Sequence, residues 1–178
     1  MIYLVGGAPR AGKSVLGQRV AQQLNVGWVA TDVLRTLLKD EGGGGWDASP
    51  EAITATANWF YPHLARFVWG IASLADDYLI EGVHFLPRHA AELSRQHALR
   101  AVFLGCSGLT LERFEAFPGR SRGYAGLPAE LKQQIVHDVP AWSELIARDA
   151  QAAGCRYVDT SDDFPSRLAE AERFLTAR

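Results

Sequence analysis

The sequence predicts an α/β domain built on a mostly parallel sheet. Two observations carry that expectation. Short apolar runs alternate with longer helical patterns from one end of the chain to the other, and the first run leads into a glycine-rich turn followed by an amphipathic stretch. A chain of 178 residues suits one hydrophobic core, long enough to bury a sheet between helices without disulfides or metals.

The elements follow in order. Ile2 to Val5 is the first predicted strand. Leu16, Val20 and Leu24 recur every four residues, an apolar stripe that lays a helix on the sheet. Gly27 to Thr31 is the second strand. Four consecutive glycines, Gly42 to Gly45, would be costly inside any regular element and predict a mobile loop reaching toward a ligand. Pro50 then sits in the first turn of the next helix. From Glu51 to Ala75 the pattern is helical and carries Trp59, Phe60, Tyr61, Phe67 and Trp69, most of them expected in the core, with Pro62 bending or dividing the helix.

Tyr78 to Val83, Leu99 to Cys106 and Arg156 to Asp159 complete five strands, enough for a small three-layer domain. Pro118, Gly119, Gly123, Gly126 and Pro128 mark a loop. A helix follows through Leu131, Ile135, Trp142, Leu145 and Ile146, kinked near Pro140 and stopped by Gly154. The last helix is expected to start near Asp162 or Asp163 and to bury Leu168, Ala171 and Leu175. Cys106 and Cys155 lack metal-ligand spacing and are expected to be buried thiols.

Composition narrows the function classes. A formal net charge of −2 with dispersed arginines argues against a nucleic-acid footprint and favours a small ligand. No apolar run approaches the roughly 20 residues of a bilayer span, and Met1 leads directly into a strand-like run. A cytoplasmic protein with no membrane partner is the expectation.

Gly7-Ala8-Pro9-Arg10-Ala11-Gly12-Lys13-Ser14 matches G-x-x-x-x-G-K-[ST] in full, after a predicted strand and before a predicted helix. Glycines let backbone N–H groups approach phosphate oxygens, and the helix start aims positive partial charge at the anion. Lys13 is expected to bridge the β and γ phosphates of ATP or GTP, and the Ser14 hydroxyl to ligate Mg²⁺. The segment from Gly7 through Ser14 and on to Val15 is therefore the expected nucleotide contact, with Lys13 also catalytic.

Carboxylates at strand ends are the remaining candidates, because ligands of such sheets sit beyond the carboxyl ends of the strands. Asp32 follows the second strand and lies three residues before Arg35. It is placed to accept a proton or hydrogen bond from an attacking hydroxyl, while Arg35 grips an anionic group of the same substrate. The competing reading makes Asp32 a helix N-cap ion-paired to Arg35. Glu81, just before Gly82, is expected beside the phosphate loop as a Mg²⁺ partner, directly or through water, or else as a solvated strand-end glutamate. His84 and Arg88 lie just beyond and face the same substrate, although a lone histidine is often structural. Arg113 is expected at the nucleotide. Arg120 and Arg122 are expected to neutralise charge on the γ-phosphoryl group when their loop closes; the alternative is a solvated arginine loop. Asp159, Thr160 and Ser161 either border the adenine or cap the last helix.

With these residues in hand, the chain resembles the P-loop kinases that include adenylate kinase, shikimate kinase, the zeta toxins and 2-phosphoglycerate kinase. Ala30-Thr31-Asp32-Val33-Leu34-Arg35 is similar to the threonine, aspartate and arginine segment of that family's acceptor site. Ile80-Glu81-Gly82-Val83-His84-Phe85-Leu86-Pro87 looks like the Glu-Gly-x-His segment of 2-phosphoglycerate kinase. The resemblance covers nearly the whole chain. It implies one P-loop domain with a parallel sheet of order 2-3-1-4-5, Mg²⁺-ATP as donor, a small-molecule acceptor, and an arginine-bearing lid at residues 117 to 127.

A nucleotide hydrolase or switch is the first alternative, but the chain has no Asn-Lys-x-Asp segment and no apolar strand ending in Asp-Glu. A non-catalytic nucleotide sensor would leave Asp32 and Arg35 without a task.

Overall fold

The computed structural model describes residues 1–38, 49–116 and 126–177. The expectations placed on Gly42 to Gly45, on Arg120 and Arg122, and on most of the lid segment lie outside the described residues.

Five parallel strands form one sheet in the order β2-β3-β1-β4-β5, as the resemblance implied. The strands are β1 (Ile2–Gly7), β2 (Gly27–Ala30), β3 (Tyr78–Glu81), β4 (Leu99–Gly105) and β5 (Arg156–Asp159). Every residue of β1 is buried, which is why it reads as a continuous apolar run and shows no alternation. The edge strand β2 is half-exposed.

Helix α1 (Lys13–Leu24) turns Leu16 and Val20 inward and packs beside α7 (Phe164–Thr176), which buries Leu168, Ala171 and Leu175. Asp163 caps α7 by accepting from the Ser166 amide at 3.2 Å. Against β4, α4 (Pro87–Ser94) and α6 (Ala129–Ala153) pack together. The short helices α2 (Thr31–Thr36) and α5 (Leu111–Ala116) follow β2 and β4, and α3 (Pro50–Ser73) carries Pro50 in its first turn behind the Ser49 cap.

Pro62 and Pro140 lie inside helices that continue past them. Each proline removes a backbone donor, but the helix on both sides is held by buried contacts: Phe60, Leu64 and Val68 in α3, and Val139, Trp142 and Ile146 in α6. Division of α3 at Pro62 is thus overridden by packing. Among its rings, Phe60 is buried and Tyr61 and Phe67 pack against the core, whereas Trp59 and Trp69 are 41% and 66% exposed on the outer face. Cys106 is buried as expected. Cys155 is only half-buried, with its thiol donating to the Pro87 carbonyl at 3.4 Å.

Gly7 is the most constrained position of the sheet. Its φ is +118°, and a Cβ built there would stand 2.0 Å from the Leu104 carbonyl oxygen of β4. Gly7→Ala is expected to lower stability by about 3 kcal/mol or more, since both the left-handed backbone and a backbone clash must be relieved. Urea unfolding of the variant checks this; a midpoint equal to wild type would mean that β1 and β4 can separate at low cost.

Candidate functional site

The site is assembled by strand register. Ala30 lies opposite Glu81, and Glu81 lies opposite Val5, so the chain leaves β2, β3 and β1 at the same edge of the sheet. Thr31 and Asp32, Glu81 and Gly82, and the phosphate loop therefore meet there.

The loop runs from Gly7 to Gly12 and ends in α1. Gly12 is the residue before the helix, with φ +92°. The first amides of any helix lack intrahelical acceptors, so Lys13, Ser14 and Val15 present N–H groups and the positive end of the helix to the loop's concave side. Ala8 ties the loop to the sheet through its amide, which donates to the Leu104 carbonyl at 2.8 Å. Ala8 and Ala11 are fully buried, and Pro9 lies between the tied Ala8 and the apex at Arg10.

Arg10 adopts φ +66°, a left-handed conformation uncommon for a branched or long side chain. Its guanidinium lies 4.7 Å from the centre of the Phe114 ring and donates to the Phe114 carbonyl at 3.3 Å, which fastens the loop to α5.

Lys13 is buried, and its ammonium donates to the Ala8 carbonyl at 2.6 Å, closing over the loop. Burial lowers its pKa to about 8, partly opposed by the Glu81 and Asp32 carboxylates. At neutral pH it remains a cation. Ser14 donates from Oγ to Glu81 Oε1 at 3.0 Å, so the hydroxyl and carboxylate form one oxygen pair at the foot of α1. Burial raises the Glu81 pKa, with Lys13 and the Ser14 hydrogen bond pulling it down. Glu81 is thus a buried partner of the loop, and the solvated strand-end reading is excluded by its 4% exposure.

Asp32 lies in the first turn of α2, one position inside the helix, while Ala30 occupies the N-cap without a side-chain bond. The capping alternative for Asp32 therefore fails. Its side chain is 72% exposed and stands 3.7 Å from Nδ1 of His84. His84 is buried and hydrogen-bonded through Nδ1 to the Thr31 hydroxyl at 2.9 Å. Burial pulls its pKa down to about 4, against the pull of Asp32 and with the help of Arg35 and Lys13. His84 is neutral at pH 7.

Gly82 explains how Thr31 reaches this position. A Cβ on residue 82 would fall 1.7 Å from the Thr31 hydroxyl oxygen, so the missing side chain is the seat of the Thr31 hydroxyl. The sequence gives Thr31 no binding role of its own, although it lies in the threonine, aspartate and arginine segment on which the resemblance rests.

Arg88 is not brought to this cluster. Its guanidinium donates to Asn58 at 3.0 Å and pairs with Asp149 at 3.5 Å, joining α4 to α3 and α6. Arg113 points from α5 to the Ser161 carbonyl, at the end of the segment that follows β5. Asp159 accepts from the amides of Ser107 and Ser161 and from the Tyr157 hydroxyl. Burial would raise its pKa, but these bonds outweigh it and leave it lowered. Asp163, not Asp159, caps the last helix.

Among the described residues no three His, Cys, Asp or Glu side chains gather closely enough to hold a metal by themselves, and no helix is long and apolar enough to cross a membrane.

No family model matches the sequence, and no curated protein matches it. Solved structures do match the fold. A shikimate kinase from Bacteroides thetaiotaomicron is 19% identical, with a TM-score of 0.55 and coverage of 98% of this chain and 97% of that one. A gluconokinase from Sinorhizobium meliloti 1021 is 20% identical, with a TM-score of 0.53 and coverage of 98% and 90%. A shikimate kinase from Acinetobacter baumannii in complex with shikimate is 18% identical, with a TM-score of 0.51 and coverage of 96% and 88%. At these identities the likeness establishes the fold.

Proposed function

We propose that this chain is an ATP-dependent kinase that transfers the γ-phosphoryl group to a small, anionic metabolite bearing a hydroxyl or phosphate. The observation that supports it is the meeting, at one sheet edge, of a phosphate loop carrying a buried cation with a second cluster of Thr31, Asp32 and His84. A nucleotide-binding module that performed no transfer would have no use for the second cluster. The fold is shared with a gluconokinase and with a shikimate kinase bound to shikimate, proteins whose names denote phosphoryl transfer to small hydroxylated molecules.

In this reading the amides of Gly12 to Val15 and the remaining residues of the loop hold the nucleotide phosphates, and Lys13 follows the charge on the transferred group. The oxygen pair of Ser14 and Glu81 suits Mg²⁺, which takes few protein ligands and completes its shell with phosphate oxygens and water. That ion would supply charge neutralisation between the phosphates. Asp32 orients the attacking hydroxyl, Arg35 and His84 bind the acceptor, Arg113 lies at the nucleotide, and Arg120 and Arg122 cover the γ-phosphoryl from a lid. The proposed activity is cytoplasmic and acts on a small-molecule acceptor, with no nucleic-acid or membrane partner.

A coupled ADP-release assay with Mg²⁺-ATP, run across sugar acids and their phosphates, nucleosides, nucleotides and hydroxylated antibiotics, tests this directly. One acceptor class is expected to raise ADP release far above the acceptor-free rate. Release that ignores every acceptor would replace the kinase by a hydrolase, and its absence throughout would leave a nucleotide sensor.

A further inference from the structure

His84 is 5% exposed, and its two ring nitrogens stand in different surroundings. Nδ1 faces two oxygens, Thr31 Oγ1 at 2.9 Å and Asp32 Oδ1 at 3.7 Å. Nε2 has no hydrogen-bond partner among the described residues, while the Phe60 ring lies beside the imidazole at 5.9 Å between centres. Nε2 is not sealed from solvent, so a ligand atom beside it can displace water and take up the bond.

Which ligand atom it takes depends on the tautomer. A carboxylate near Nδ1 favours a proton there and disfavours a lone pair, and a proton on Nδ1 can donate to the Thr31 oxygen as well. A neutral imidazole has only one N–H, so Nε2 is then left as an acceptor. The Thr31 hydroxyl cannot drift from this arrangement, because it occupies the seat that Gly82 leaves open and is itself fully buried.

We propose that Thr31 is a positioning residue which, with Asp32, holds His84 as the Nδ1-protonated tautomer so that Nε2 accepts a hydrogen bond from a hydroxyl of the phosphoryl-accepting substrate. This deepens the kinase reading and rests on it. It names the substrate class more closely: a hydroxylated molecule with a donor placed for His84, in addition to the oxygen that faces Asp32. Neutral His84 provides no charge for a phosphate or carboxylate, and that task falls to Arg35. A site built to bond a hydroxyl discriminates strongly against the analogue that lacks it, since the protein atom is then left unpaired.

The test has two arms. In the first, long-range ¹H–¹⁵N spectra of histidine-labelled protein at neutral pH, without substrate, read which His84 nitrogen carries the proton. A proton on Nδ1 is expected; a proton on Nε2 overturns the proposal, whether or not the chain is a kinase. In the second, Thr31→Val and Thr31→Ser are compared by steady-state kinetics with the acceptor that the panel identifies. Thr31→Val keeps the shape and removes the hydroxyl, and should raise the acceptor KM about tenfold while leaving the ATP KM unchanged. Thr31→Ser restores the hydroxyl and should restore the acceptor KM. A Thr31→Val protein of unchanged acceptor KM, or a Thr31→Ser protein as impaired as Thr31→Val, overturns the positioning role. Failure of every acceptor would instead count against the kinase reading, with the spectra still deciding the tautomer.

Discussion

Lys13→Ala is expected to lower kcat by roughly 10²- to 10³-fold while the protein stays folded, the scale on which removal of one preorganised charge-stabilising group acts. The Lys13 ammonium is buried and bonded at 2.6 Å to the Ala8 carbonyl of the same loop. It sits in surroundings that lower its pKa to about 8, so folding is opposed, not helped, by its charge. Removing that charge therefore has no stability to forfeit on this account, and the loss falls on turnover. The ammonium would meet charge that shifts from the γ-phosphoryl group toward the leaving oxygen, an interaction that grows in the transition state. Stopped-flow single-turnover rates together with a thermal melt separate the two effects. A variant that turns over within a few-fold of wild type would remove Lys13 from the mechanism.

Asp32→Asn is the second large effect. The side chain is 72% exposed and caps no helix, so the substitution keeps its shape and costs the fold little. On the proposed reading, what is lost is the carboxylate that would receive the substrate proton or its hydrogen bond, and general-base removal of this kind slows reactions by about 10²- to 10⁴-fold. ATP affinity is expected to remain close to wild type by calorimetry. A variant that transfers normally would make Asp32 a bystander, and one that loses ATP affinity in step with turnover would assign the carboxylate to the metal.

These two residues differ in how plainly the sequence marks them. Lys13 belongs to a contiguous octapeptide in which the glycines, the lysine and the serine each have a stated task, and the structure runs that octapeptide from the end of β1 into α1 as its spacing requires. Asp32 is marked by following a strand, by standing three residues before Arg35 and by the resemblance of that segment to an acceptor site. Its neighbour Thr31 read as the end of β2, yet it begins α2, because its hydroxyl turns into the notch at Gly82 where a further strand residue could not. Arg88, directly after the buried run His84 to Pro87, looks equally well placed. Asn58 and Asp149, distant in sequence, turn it toward the helices instead. The exposed rings of Trp59 and Trp69 show the same limit in α3, since an apolar ring at helical spacing does not say how wide the buried face is.

Local sequence was enough for the alternation of strands and helices, the extent of β5, the start of α7 and the phosphate loop. Each of these rests on contacts within a few residues: apolar periodicity, a proline at a helix start, an aspartate cap, a glycine turn leading into a lysine. The order of the strands came from a resemblance that the structure then bore out. Only the folded chain shows that Thr31 joins Asp32 and His84 in the second half of the site and that Arg88 does not. Thr31 and His84 are 53 residues apart and touch because β2 and β3 run parallel in one register, with Ala30 opposite Glu81. Register is set by the burial of whole strand faces, a non-local quantity, so no window of sequence carries it.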